Sequence, residues 1–118
     1  MKYEVEIVNI GKSVESMLDA GDLIIFDKCP NEILEDVCIM HTRDQVKSTI
    51  QIGDTVILGA KKYEITAIGD EAIHTLEEMG HCTFKFTGVD IVELPGQIVL
   101  KGNEKPIPLQ IGDKICIG

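Results

Sequence analysis

Basic residues are scarce along these 118 residues: eleven lysines and arginines stand against twenty aspartates and glutamates, a net charge of −9. Nucleic-acid binding rests on Lys and Arg contacts to phosphate, so the summed field repels that partner and no nucleic-acid role is expected. Long apolar runs are missing too. None approaches the ~18 residues of a membrane span, and Glu4 and Glu6 stand where a secretory signal needs an unbroken apolar stretch. No membrane insertion is therefore expected, and the sequence reads as cytoplasmic. Cys29, Cys38, Cys82 and Cys116 occur without a CxxC pair, and the last three lie inside apolar runs where a thiol behaves as a small hydrophobe; all four are expected to be reduced. No linker, low-complexity tract, repeat array, glycine-rich nucleotide loop or metal motif interrupts the chain. Residues 1–118 are expected to form a single domain with no cofactor and no metal site.

What the chain does have is alternation. Apolar and polar residues alternate with the period-2 mark of half-buried strands over 3–10, 22–26, 37–41, 55–58, 63–68, 82–87, 97–100 and 114–117, with turn residues between the runs. Two segments carry helical spacing instead: 13–20, opening on Ser13 and closing at Gly21, and 70–79, opening on Asp70, spacing Ile73, Leu76 and Met79 three apart, and stopping at Gly80. So many short strands need an edge solution. The predicted fold is mostly all-β: a small closed or nearly closed β-barrel of short, largely antiparallel strands with one or two short covering helices. One internal echo occurs, between 51–59 (QIGDTVILG) and 110–118 (QIGDKICIG). Gly-Asp makes a good tight turn into a strand, and the echo also suits two similar corners of one barrel.

Three histidines are candidates for chemistry. His74 lies off the apolar stripe of the second helix and reads as a surface residue. His81 opens a strand whose Cys82, Phe84 and Phe86 point one way, leaving His81, Thr83, Lys85 and Thr87 on the polar face. His41 ends the apolar run Val37-Cys38-Ile39-Met40 just before the polar Thr42, Arg43, Asp44 and Gln45, and a rigid strand followed by a polar loop is where functional groups are commonly presented. A half-exposed strand-end position has little packing to lose, so removing His41 is expected to cost no more than about 1 kcal/mol. Zinc held by Cys38, His41, His81 and Cys82 is the rival by count, but residues 38 and 41 face opposite sides of a strand, as do 81 and 82. The same objection meets a Cys38–His41 nucleophile pair.

Three blocks agree in order and spacing with a known family: 37–41 (VCIMH); Thr66-Ala67-Ile68-Gly69 leading to 76–88 (LEEMGHCTFKFTG); and 93–102 (ELPGQIVLKG). On these residues the chain resembles the glucitol/sorbitol-specific IIA component of the bacterial phosphoenolpyruvate-dependent sugar phosphotransferase system. The resemblance implies a small β-barrel acting as a phosphotransferase component through a transient phosphohistidine. His41 would accept a phosphoryl group from the phosphocarrier HPr and pass it to a cysteine of the IIB component of a IIB/IIC sugar permease. Family members often carry a second histidine two positions after the acceptor, where this chain has Arg43. Imidazole suits such a relay because its lone pair is available near neutral pH, and transfer then depends on positioned donors rather than on a cofactor of this chain. Arg43 and Lys47 are the nearest cations by sequence, with His81 as a further supporting residue. A non-catalytic β-barrel that binds or regulates a partner is the alternative.

Overall fold

The computed structural model describes residues 1–106 and 108–118. Alternation turns directly into a wall with an inside and an outside: in β1 (Tyr3–Ile10), Tyr3, Val5 and Ile7 are buried while Glu4, Glu6 and Val8 are exposed. The same alternation recurs in β4 (Thr55–Leu58), β5 (Lys61–Ile68) and β6 (Cys82–Lys85), and for most of β2 (Asp22–Phe26), whereas consecutive residues are buried in β3 (Cys38–His41), β7 (Gln97–Lys101) and β8 (Lys114–Ile117). These eight strands close a barrel in the order β1-β3-β2-β6-β7-β5-β4-β8, so no edge is left to pair with another chain. Two pairs, β2 with β3 and β6 with β7, are parallel, and the other six are antiparallel. The inward residues, among them Tyr3, Ile7, Leu23, Ile25, Ile39, Val56, Ile65, Phe84, Ile98 and Ile115, form one core.

Among the described residues, three short helices cover the barrel. The expected pair are α1 (Val14–Asp19) and α3 (Ala72–Met79); between them in the chain lies α2 (Glu32–Glu35), which the hydrophobic spacing does not announce. Asn31 caps α2 by accepting a hydrogen bond from the Leu34 amide at 2.9 Å. Ser13 holds the N-cap position of α1 without a side-chain bond, and α3 begins after Glu71 rather than at Asp70. Gly80 ends α3 in the left-handed region at φ 60°, as its place after Met79 predicts. No helix among the described residues is long and apolar enough to cross a membrane.

The echo between 51–59 and 110–118 has a geometric counterpart. Gly53 and Gly112 both sit at φ 96°, and Asp54 and Asp113 each accept a hydrogen bond through Oδ2 from the amide three residues back, both at 2.9 Å. The likeness extends along the chain, because β5-α3-β6-β7-β8 repeats β1-α1-β2-β3-β4 except that α2 between β2 and β3 has no counterpart among the described residues. In each half the first strand pairs antiparallel with the third, and the third runs parallel to the second. The last strand of each half leaves it and pairs with the first strand of the other, β4 with β5 and β8 with β1.

One expectation is corrected here. Cys29 and Cys38 are joined in a disulfide, leaving only Cys82 and Cys116 as free thiols. Their spacing signals nothing, because the pairing comes from the parallel run of β2 beside β3, which returns the chain after β2 to the outer side of Cys38.

Candidate functional site

On β3 the alternation puts Ile39 and His41 on the inner side and Cys38 and Met40 on the outer one, so Cys38 and His41 do face apart. His41 is not half-exposed, as its strand-end position suggests; it retains 1% of its accessible surface. The cause is the C-terminus of α3, which folds over the end of β3. His41 Nε2 faces the Gly80 carbonyl at 2.8 Å, Nδ1 faces its neighbour's carbonyl, Thr42, at 2.6 Å, and the ring meets Tyr3 edge to face with centroids 6.3 Å apart. A neutral imidazole has one N–H and donates to one of these carbonyls; an imidazolium donates to both.

Glycine is required at position 80 for two reasons. Its backbone is left-handed, and a Cβ there would lie 2.5 Å from His41 Cε1 and 2.8 Å from Asp27 N. The carbonyls at the end of α3 are taken up by groups from the ends of β2 and β3. The Asp27 amide donates to Met79 O at 2.9 Å, and the Arg43 guanidinium reaches Glu78 O at 3.3 Å, cations being favoured at that negative helix end. Arg43 also pairs with Asp27 at 2.5 Å.

The remaining sequence candidates fall around this centre rather than in it. Lys47 pairs with Asp44 at 2.7 Å, away from the imidazole, and its amide donates to Lys2 O. Segment 42–47 is thereby strapped along β1: Thr42 Oγ1 accepts from the Glu6 amide and Asp44 Oδ2 from the Glu4 amide, both at 2.9 Å. The Lys47 ammonium bond holds the Asp44 carboxyl below the usual carboxylate range, with the amides of Glu4 and Gln45 adding to the effect against partial burial. His81 stands on the outer face, stacked on Phe26 at 4.0 Å, its Nδ1–H donating to Ile25 O at 3.0 Å. Its link to His41 is the backbone of Gly80. His74 is exposed and lies 3.3 Å from Glu78 one turn on, as a surface residue does. A cavity of about 380 Å³ bounded by Lys85, Thr87, Val89 and Gln97 includes none of the site residues.

A family model described as the PTS system glucitol/sorbitol-specific IIA component matches residues 2–116. The chain belongs to this family. It is similar to the PTS system glucitol/sorbitol-specific EIIA components of Shigella flexneri and Escherichia coli (strain K12), each 33% identical over 106 residues, 90% of this chain and 84% of the relative. Among solved structures it is similar to that of the PTS system IIA component from Enterococcus faecalis V583, with a TM-score of 0.81 over 97% of this chain and 98% of that one; at 20% identity this likeness speaks for the fold. Membership makes this IIA chain a phosphotransferase-system component serving sugar uptake.

Of the residues named from the sequence, the IIA fold brings His41 and Arg43 to one place, while Lys47 and His81 hold its surroundings. Sequence reasoning missed Asp27, Gly80 and Tyr3 as site residues. Gly80 was visible as a helix stop next to His81, but that it roofs His41 depends on where α3 lands. Asp27 and Tyr3 lie 14 and 38 positions from His41 in the chain and carry no local signal.

Proposed function

We propose that this IIA chain carries a phosphoryl group on His41, taking it from HPr and passing it to a IIB cysteine in the cytoplasm, for uptake of glucitol/sorbitol or a related polyol. The observation that supports this reading is His41 itself: a desolvated imidazole locked in orientation by the Gly80 and Thr42 carbonyls, with a guanidinium on the same helix end. A nitrogen lone pair of His41 forms the N–P bond as the P–N bond of the donor phosphohistidine breaks, its electrons returning to the donor imidazole. The IIB thiolate then attacks phosphorus and the lone pair returns to His41. The ring nitrogen that does not carry phosphorus keeps its N–H for its carbonyl, which holds the ring in line.

Arg43 is the cation for the spread negative charge, and Asp27 holds it ready. To serve the phosphoryl group it exchanges the Asp27 carboxylate for phosphoryl oxygens. Lys47 acts at a distance by fixing the strap that follows His41, and His81 by anchoring the strand that starts after Gly80. His81→Ala is therefore expected to slow transfer without abolishing it.

The test is acid-labile phosphate incorporated from phosphorylated HPr by folded variants. His41→Ala is expected to take up none and His74→Ala as much as wild type. Uptake by His41→Ala at the wild-type rate would overturn the assignment. Because both nitrogens of His41 are engaged in the structure, a non-catalytic binding module is the second reading, and absence of uptake by the wild-type chain would select it.

A further inference from the structure

Among the described residues, the hydroxyl of Tyr3 is the buried side-chain polar atom left with no hydrogen-bond partner. Tyr3 retains 0% of its surface, and its ring lies edge to face with His41. Leaving a buried hydroxyl unpaired opposes folding, and phenylalanine would fill the same space without that penalty. The hydroxyl is thus hard to account for by packing. Burial, with the Cys82 thiol and the Asp27 and Asp44 carboxylates adding to it and Arg43 opposing, holds the phenol protonated far above its ordinary range. At neutral pH it is a neutral O–H with a proton to share.

The surroundings of His41 need such a group. Both its nitrogens face carbonyl oxygens, which repel a phosphoryl anion, and the nearby carboxylates Asp27 and Asp44 repel it further. Arg43 answers part of this charge once it leaves Asp27. A second donor, already desolvated and with no partner to give up, serves transfer at little reorganisation cost. Resting on the phosphocarrier reading above, we propose that Tyr3 is a further catalytic residue, whose hydroxyl donates a hydrogen bond to a phosphoryl oxygen carried by His41. The N–P bond forms and the donor's P–N bond breaks as before, while the phenol O–H bond stays intact.

Tyr3→Phe in the full chain separates this role from a structural one, because it keeps the ring against His41 and removes only the oxygen. Wild type and variant are compared for the initial rate of acid-labile phosphate uptake from phosphorylated HPr, for the hydrolytic lifetime of the phosphorylated form, and for thermal unfolding. The variant is expected to unfold at the same temperature or higher, yet to take up phosphate roughly a hundredfold more slowly, as happens when one oxyanion donor is removed. An equally stable variant with the wild-type rate overturns the role of Tyr3 and leaves the phosphocarrier reading standing. A markedly less stable variant makes the hydroxyl structural and overturns it too. No uptake by wild type overturns the phosphocarrier reading and the role of Tyr3 with it.

Discussion

At the scale of single residues, the site is built from close approaches. Gly80 lies against His41 and Asp27 at distances that leave no room for a methyl group, on a left-handed backbone. Gly80→Ala is expected to lower stability by about 2 kcal/mol, part from the strained backbone and part from displaced neighbours. Because it pushes directly on the His41 ring, it is also expected to slow phosphate uptake roughly 10- to 100-fold, as small misplacements of reacting groups do. Denaturant unfolding and uptake kinetics of the one variant check both effects, and wild-type uptake would show that the Gly80–His41 contact does not set the ring's position. His41→Ala should itself cost roughly 2 kcal/mol rather than the smaller amount its strand-end position suggests, since it strips a buried carbonyl of its partner and leaves a hole beside Tyr3. The identity of His41 as the candidate was legible because the residue type and the strand-to-loop transition are local. Its burial was not, because the roof over it comes from residue 80.

At the scale of elements, the strands were the most readable part of the chain, since period-2 alternation is written in neighbouring residues and the barrel only has to obey it. Run 82–87 stops short as β6 at Lys85, although the Phe86 amide still donates to the Gly21 carbonyl, one position further along the register of β6 with β2. Helix α2 escaped because four residues show no periodicity, and its Asn31 cap is the single local cue. Segment 42–47 was equally opaque: its polar sequence reads as a loop, yet it runs along β1 through Thr42, Asp44 and Lys47. Its attachment should respond to acid. The Asp44 carboxyl is depressed in the folded protein, so its contribution is complete above the unfolded value near ~4 and is lost as pH falls through that value toward the folded one. Wild type is expected to exceed Asp44→Asn by no more than about 1 kcal/mol near neutrality, the Lys47 side chain being 56% exposed, with the margin shrinking below about pH 4. Denaturant unfolding between neutrality and pH 3 follows it, and a margin that stays constant across that range contradicts this account of the strap.

At the scale of the whole molecule, the barrel is one pattern used twice. The sequence shows this only at 51–59 and 110–118, where the tight Gly-Asp corner demands the same residues in both halves. Elsewhere the two halves need only inward apolar residues, which many sequences satisfy, so their sequences differ while their pairing is the same. The candidate histidine has no counterpart in the other half: the pairings Ile39 to Ile10 and Ile98 to Ile68 correspond, and counting on from them makes Leu100, a buried apolar residue, the equivalent of His41. The crossing of β4 and β8 between halves has a further consequence. Residues 1–59 alone hold a three-strand sheet with β4 left dangling, and residues 60–118 hold its counterpart with β8 loose, so each piece presents bare backbone that only the other covers. Made as separate peptides, neither is expected to show a cooperative unfolding transition, whereas an equimolar mixture should reassemble into a one-to-one complex with the far-ultraviolet spectrum of the intact chain. A 1–59 peptide that folds alone as a monomer would refute this. By the same route, two intact chains refolded at high concentration can trade halves, giving an interlocked dimer in which each His41 is roofed by the Gly80 of the other molecule.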